Sequence, residues 1–268
     1  MSLLGLSFMQ RALFAGCLIG ILCALVGVFA VLKRLSFMGA GISHAAFGGV
    51  ALGYALNIDP MLSALVFCIL VSLGIAFLAE RTRSKEDTLI GVFFASTMAL
   101  GILLLSVFRI RNIDLFGYLF GNILAITPED LKFSVLLGGT IVFFLLLFYK
   151  EFIAVILDPE GAKATGIPAE VFSYLLVVLV AGATVVAIRL VGIVLASALL
   201  VLPAATALQK AKTLKKALLF AIADGVAVSL GGLFLAYILD APAGATIVLC
   251  ATGVFFLTSI SSSFPRRG

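Results

Sequence analysis

Apolar runs long enough to cross a bilayer follow one another from end to end of this 268-residue chain, and that repetition restricts it to a bundle of membrane-spanning helices. Backbone groups in hydrocarbon must satisfy their own hydrogen bonds, so runs of this length are read as helices. The predicted spans are 8–32, 38–57, 60–80, 88–108, 129–149, 171–188, 190–208, 217–239 and 243–261. Composition agrees, with 63% of residues hydrophobic and 12% charged, against about 45–50% and about 25% in soluble domains. The expected fold is all-α, a polytopic bundle of eight or nine spanning helices forming one domain over residues 1–268.

The net charge of +5 suggests nucleic acid at first sight, but the basic residues sit in short loops between apolar runs, as membrane topology requires. If Lys33-Arg34 is cytoplasmic, alternation puts Arg81, Arg83, Lys85, Lys150, Lys163, Lys210, Lys212, Lys215, Lys216, Arg266 and Arg267 on that side, 13 of the 18 basic residues in all. Arg11, Arg109, Arg111, Lys132 and Arg189 fall opposite. The asymmetry predicts an outside N-terminus and an inside C-terminus, with no nucleic-acid partner. The first run ends in Lys33-Arg34 and is too long for a signal-peptide core, so it is expected to persist as a span. Residues 109–128 contain Leu115–Leu124, too short to span, and are expected to be interfacial or re-entrant.

Pro203 is the one proline inside a predicted span and should kink its helix. Ala45, Gly49 and Gly53 recur every four residues and form a smooth stripe for close helix packing, and Gly16/Gly20 and Gly231/Gly232 are candidates for the same role. Cys17, Cys23, Cys68 and Cys250 lie singly in apolar runs without CxxC spacing and read as small buried hydrophobes.

The polar residues at depth are few. His44, the only histidine, lies in the second span. An ionisable group there is expensive and usually faces protein or a polar path, and imidazole is the commonest side-chain ligand of borderline divalent metals. Its competing role is structural, bonded through Ser43 or a carbonyl. Asp224 is the other acid within a span, either solvated near the inner interface or lining a path. Asp240, in the turn before the last span, either caps the final helix or meets cargo from outside. In the cytoplasmic loop 156–168, Asp158 reads as an N-cap with Pro159 at the first helical position, and Gly166 and Pro168 as stops. The resulting short helix is something a partner could grip, although a plain linker fits the spacing as well.

These motifs together, with Leu119-Phe120-Gly121, Val191-Gly192 through Leu202-Pro203-Ala204-Ala205-x-Ala207, and Asp240-x-Pro242-x-Gly244, resemble the permease family of zinc, manganese and iron(II) ABC importers over nearly the whole chain. The resemblance implies a type II importer-like fold in the plasma membrane of a prokaryote, a homodimer, two ATP-binding subunits and an extracytoplasmic metal-binding protein. It implies that Asp158, Pro159, Glu160, Ala162 and Gly166 form the segment coupled to the ATPase, and that His44 contacts the ion. Asp224 and Asp240 are lesser candidate metal contacts. Many members of the family carry aspartate where this chain has Ala40, one turn before His44. Loss of that carboxylate argues for zinc as cargo over manganese or iron(II). No metal or cofactor is expected to be held permanently, and no G-x-x-x-x-G-K-[ST] phosphate loop is present, so the chain is not expected to be an enzyme. The alternative is a proton-coupled secondary transporter using His44 and Asp224 as relay groups.

Overall fold

The computed structural model describes residues 7–82, 85–110 and 126–263. In chain order its helices are α1 (Ser7–Leu32), α2 (Ser36–Leu56), α3 (Pro60–Thr82), α4 (Glu86–Val107), α5 (Pro128–Leu147), α6 (Tyr149–Leu157), α7 (Pro159–Ala164), α8 (Ala169–Lys210), α9 (Leu214–Leu239) and α10 (Ala243–Ser263). No strand occurs among the described residues. Seven of these helices are long and apolar enough to cross a membrane. Helix α2 is not one of them, because its glycines, Ser43 and His44 lower its hydropathy; α3, α4 and α8 sheathe it instead. Most of the expected interfacial segment, residues 111–125, lies outside the described residues, as do Arg83, Arg266 and Arg267.

Helix α8 is two spans in one. Its 42 residues would extend about 63 Å as a straight helix, twice a bilayer's hydrocarbon core. Both of its ends meet the C-terminal end of α1. Lys33 Nζ donates to Ser173 Oγ at 3.3 Å, while Leu208 faces a cavity shared with Phe29 and Leu32. The chain therefore doubles back, and it does so at Gly192, whose φ of 81° and ψ of 172° are non-helical. That region of backbone space is essentially reserved for glycine. The two halves, 169–191 and 193–210, correspond to the expected spans 171–188 and 190–208. Backbone dihedrals stay in the helical range through Pro203, and the chain reversal lies eleven residues earlier, at Gly192. Proline costs a hydrogen bond and crowds the carbonyl of residue i−4 but keeps a helix-compatible φ, whereas Gly192 reverses the chain.

The turn is anchored at its own end of the bundle. Arg189 Nε donates to Asp130 Oδ1 at 2.7 Å, and its guanidinium lies 4.7 Å from the Phe133 ring centroid. Asp130 is itself fixed by a capping box with Thr127, each side chain accepting from the other's backbone N–H. At the opposite end Tyr174 Oη donates to Glu80 Oε2 at 2.6 Å, joining α3 to the start of α8.

Small residues set the helix spacing, as expected where lipid supplies no hydrophobic drive for association. A Cβ on Gly49 would lie 2.7 Å from Ala64 Cα, and one on Gly53 2.7 Å from Pro60 Cα, so the stripe on α2 packs directly on α3. Ser63 Oγ donates to the Gly49 carbonyl at 2.7 Å across the same seam. Gly20 meets the Gly225 backbone and Gly232 meets Ile247, whereas Gly16 makes only ordinary contacts and Gly231 is open. Cys23 and Cys68 are buried as small hydrophobes, and Cys17 and Cys250 half-buried.

Substituting Gly192 by valine should destabilise the folded chain by about 1–3 kcal/mol, read as a lower thermal midpoint in detergent. An unchanged midpoint would show that the turn tolerates a β-carbon.

Candidate functional site

Helix α2 is buried on every side but one. Met38, Gly39, Gly41, Ile42, Ser43, Ala45, Ala46, Gly48 and Gly49 are all buried, while Phe37, Ala40, His44 and Phe47 recur at three- and four-residue spacing along a stripe that stays open or half-open. His44 sits in the middle of that stripe. Its ring meets Phe94 of α4 edge-on, with centroids 4.6 Å apart and planes at 74°. Nδ1 of His44 and the hydroxyl of Ser43 are buried without a hydrogen-bond partner among the described residues. Buried polar atoms are nearly always satisfied, so an adjacent pair of unsatisfied ones calls for an explanation such as an ion or water. Cys68 Sγ of α3 donates to the carbonyl of Ile42, the residue before Ser43, at 3.6 Å.

Ala40 lies one turn from His44 on the same stripe and contributes a methyl group where a carboxylate would add an oxygen ligand. Among the described residues no group of three or more His, Cys, Asp or Glu is placed to hold a metal. One copy of the chain therefore offers a single imidazole, with carbonyls and hydroxyls nearby, and builds no closed tetrahedral cage.

Asp224 lies ten residues into α9, half-buried and near enough to Lys210 at the end of α8 to feel its charge. Its neighbour Gly225 abuts Gly20, which lies at the middle of α1, and its Oδ2 is buried without a hydrogen-bond partner among the described residues. Helix α9 packs on α1, α8 and α10, and α2 on α3, α4 and α8. The two helices share no principal interface, so the fold does not bring Asp224 and His44 together as a relay pair would require. Asp240 also departs from expectation. It takes a left-handed conformation (φ 50°, ψ 45°) and ends α9 through its backbone N–H to the Ala236 carbonyl, so it terminates the preceding helix rather than starting the final one.

The loop 156–168 forms as expected. Asp158 accepts from the Gly161 N–H at 3.0 Å, Pro159 opens α7, and Gly166 has a φ of +87°. Ile167 N–H donates to the Ala162 carbonyl and Gly166 N–H to the Lys163 carbonyl, a Schellman stop with Ala162 and Ile167 packed together. Lys163 Nζ binds Glu170 at 3.2 Å and lies 3.9 Å from Glu160. The hydrogen bond to Glu170, with both carboxylate charges, raises the Lys163 ammonium above the usual lysine range. Glu160 stays exposed on the surface of the short helix.

Three features escaped the sequence reading. The amphipathic helix α6, Tyr149–Leu157, buries Phe152 and Val155 beside α7. Phe94 is invisible as a neighbour of His44 because the contact is long-range. The Asp130–Arg189 pair was half legible, since Thr127 and Asp130 have capping-box spacing.

A bundle of spanning helices with one turn at Gly192, a capped helix at the cation-rich end and an unpaired imidazole at depth defines a membrane transport subunit. The chain matches the model of the ABC 3 transport family over residues 5–262, and it belongs to that family of metal-importer permeases. It is 37% identical over 266 residues to the manganese transport system membrane protein MntC of Halalkalibacterium halodurans, covering 99% of this chain and 90% of that protein. It is 38% identical over 251 residues to the manganese import system permease protein ScaB of Streptococcus gordonii, covering 94% and 90%. A probable iron transport system membrane protein of Haemophilus influenzae is 36% identical over 261 residues, covering 97% and 96%. Among solved structures, PsaBC from Streptococcus pneumoniae in complex with Fab superposes with a TM-score of 0.85 at 37% identity, covering 96% of this chain and 92% of that one. An inward-facing metal-chelate type ABC transporter shares the fold with a TM-score of 0.72 at 17% identity, covering 94% and 86%.

Replacing Asp158 by alanine should remove the cap and weaken α7 by about 1 kcal/mol, seen as faster amide hydrogen exchange across residues 159–167 while α3 is unchanged. Equal protection in the variant would mean that neighbouring contacts alone hold the helix.

Proposed function

We propose that this chain is the permease of an ATP-driven importer of divalent metal ions, with manganese as the first cargo, and that His44 meets the ion within the membrane. The observation that carries this reading is the unpaired Nδ1 of His44, on the half-open stripe of a helix otherwise packed by protein, with the hydroxyl of the buried Ser43 next in the chain also unpaired among the described residues. Apposing that stripe in two copies of the chain would give two imidazoles facing one path, with carbonyls and water completing the ion's shell. Helix α7, with Glu160 outward and Gly166 ending it, is the element we assign to the groove of an ATP-binding subunit, one per permease copy. An extracytoplasmic metal-binding protein would deliver the ion at the opposite face. The excess of lysine and arginine at the α7 end supports an inside C-terminus and an outside N-terminus in a prokaryotic plasma membrane.

The preference for zinc rested on Ala40 alone. Against it stand the MntC and ScaB relatives, both named for manganese. A site of one imidazole plus carbonyls and water suits manganese as well as zinc, since oxygen ligands are the ones manganese favours. Ala40 then acts on discrimination: without a carboxylate, the path has little means of preferring one first-row ion.

The test is uptake of radioactive manganese and zinc by vesicles holding the assembled importer. His44→Ala should lower manganese uptake about tenfold or more while the thermal midpoint stays at the wild-type value. Ala40→Asp should raise the manganese-to-zinc uptake ratio. Wild-type uptake by His44→Ala would remove His44 from the path, and zinc uptake far exceeding manganese in the unmodified complex would overturn the choice of cargo.

A further inference from the structure

A second site lies at the other functional end of the molecule. Where α1 ends, α6 and the α8–α9 connection enclose a cavity of about 480 Å³. Its walls are apolar, among them Phe29, Tyr149, Ile153 and Leu208, and two cations, Lys212 and Lys215, stand in its lining. Both lysines are exposed, and neither is in an ion pair among the described residues. Between Glu170 and Asp224 the sequence contains no acidic residue, so the connection that carries them is purely cationic.

We propose that this cavity binds an anionic phospholipid of the cytoplasmic leaflet, with one acyl chain along the apolar wall and the headgroup on Lys212 and Lys215. Three observations favour a lipid. The cavity lies at the level where the spans α1, α8 and α9 begin or end, which is the depth of the headgroup region. One wall is α6, a nine-residue helix that packs Phe152 and Val155 inward and leaves Leu157 75% exposed, the arrangement of a helix lying in an interface. The paired cations complement a headgroup with negative charge, and basic pockets between spanning helices on the cytoplasmic side take such lipids. A soluble anion would use the lysines and leave the apolar wall unexplained. A neutral lipid would use the wall and leave the lysines unexplained. The cavity also borders the end of α6 that runs directly into α7 through Asp158, so the bound lipid would brace the root of the helix assigned above to the ATPase. The lipid site itself stands or falls independently of the cargo and of His44.

The chain contains no tryptophan, which permits a clean reporter. Leu157→Trp places an indole at the mouth of the cavity on an already exposed position. The assembled importer carrying this substitution is reconstituted in vesicles, the unsubstituted complex serving as fluorescence background. Quenching by brominated phosphatidylglycerol is then compared with quenching by brominated phosphatidylcholine. The anionic lipid should bind about fivefold more tightly or better, as one or two lysine contacts provide. Adding Lys212→Gln with Lys215→Gln should bring the ratio to unity. Lys210→Gln with Lys216→Gln, which removes the same charge from the same connection but not from the cavity, should preserve it. Equal affinity for the two lipids overturns the proposal. So does an equal loss in both double variants, which would reveal a diffuse cationic surface. Absence of quenching in the complex, where the permease alone is quenched, would show that protein rather than lipid covers the cavity, and would overturn it too.

Discussion

Backbone contact through glycine is the constraint from which the rest of this structure follows. Helix α2 is pressed against the backbone of α3 at Gly49 and Gly53 and of α4 at Gly48, while Gly41 and Gly39 make room for the side-chain ends of Ile90 on α4 and Leu200 on α8. In lipid there is no hydrophobic gain from bringing helices together, so van der Waals contact at short range must supply the association. The consequence is positional. A helix held at backbone distance by α3 and α4 and packed on a third side by α8 has little freedom to rotate, and the stripe it leaves uncovered is therefore fixed. His44 lies on that stripe because Ala45, Gly49 and Gly53 do not.

The polar ends of the bundle complete what the glycines begin. Doubling back at Gly192 lets one stretch of chain cross twice, and the Arg189–Asp130 pair holds the turn to the start of α5. This pair is partly desolvated, and removing one member of such a pair is worse than never having had it. Asp130 would still be held by Thr127, so the burden of losing the pair falls on Arg189 and on the turn that carries it. At the other end Lys33–Ser173 and Tyr174–Glu80 tie α1, α3 and α8 together directly beside α7. A displacement of α7 is thus applied close to the ends of three spans. One of them, α3, is the helix that packs on the α2 glycine stripe.

Much of this was legible because membrane solvent makes sequence signals strong. Every spanning helix falls within a few residues of its apolar run, since length and hydropathy are set by bilayer thickness. The Asp158 cap, Pro159 and Gly166 were equally readable, because each acts within a few residues of itself. Long-range facts were not. Gly192 makes the chain reversal inside α8, and a single glycine among many gives no local sign that its φ is positive. Asp224 lies about two turns from Lys216 along α9, but its place beside the α1 seam and within reach of Lys210 at the end of α8 is set by packing and leaves no local trace. The half-open face of α2 required knowing all three of its neighbours.

The sparseness of the His44 site bears on what a carrier can be. A site of nanomolar affinity holds its ion by about 12 kcal/mol, and even with association near the diffusion limit it would release that ion only about once per second. Four nitrogen or sulfur ligands would bind more tightly still and release more slowly. On the reading proposed above, one imidazole per subunit with carbonyls and water would avoid that trap and would leave affinity to the protein that delivers the ion. On this view Ala40 is consistent with transport. Selectivity resides where binding is tight, while the membrane path needs a ligand only strong enough to strip part of the ion's water from it. A carboxylate added one turn away would sharpen the choice of ion and slow its departure, the same interaction acting on both.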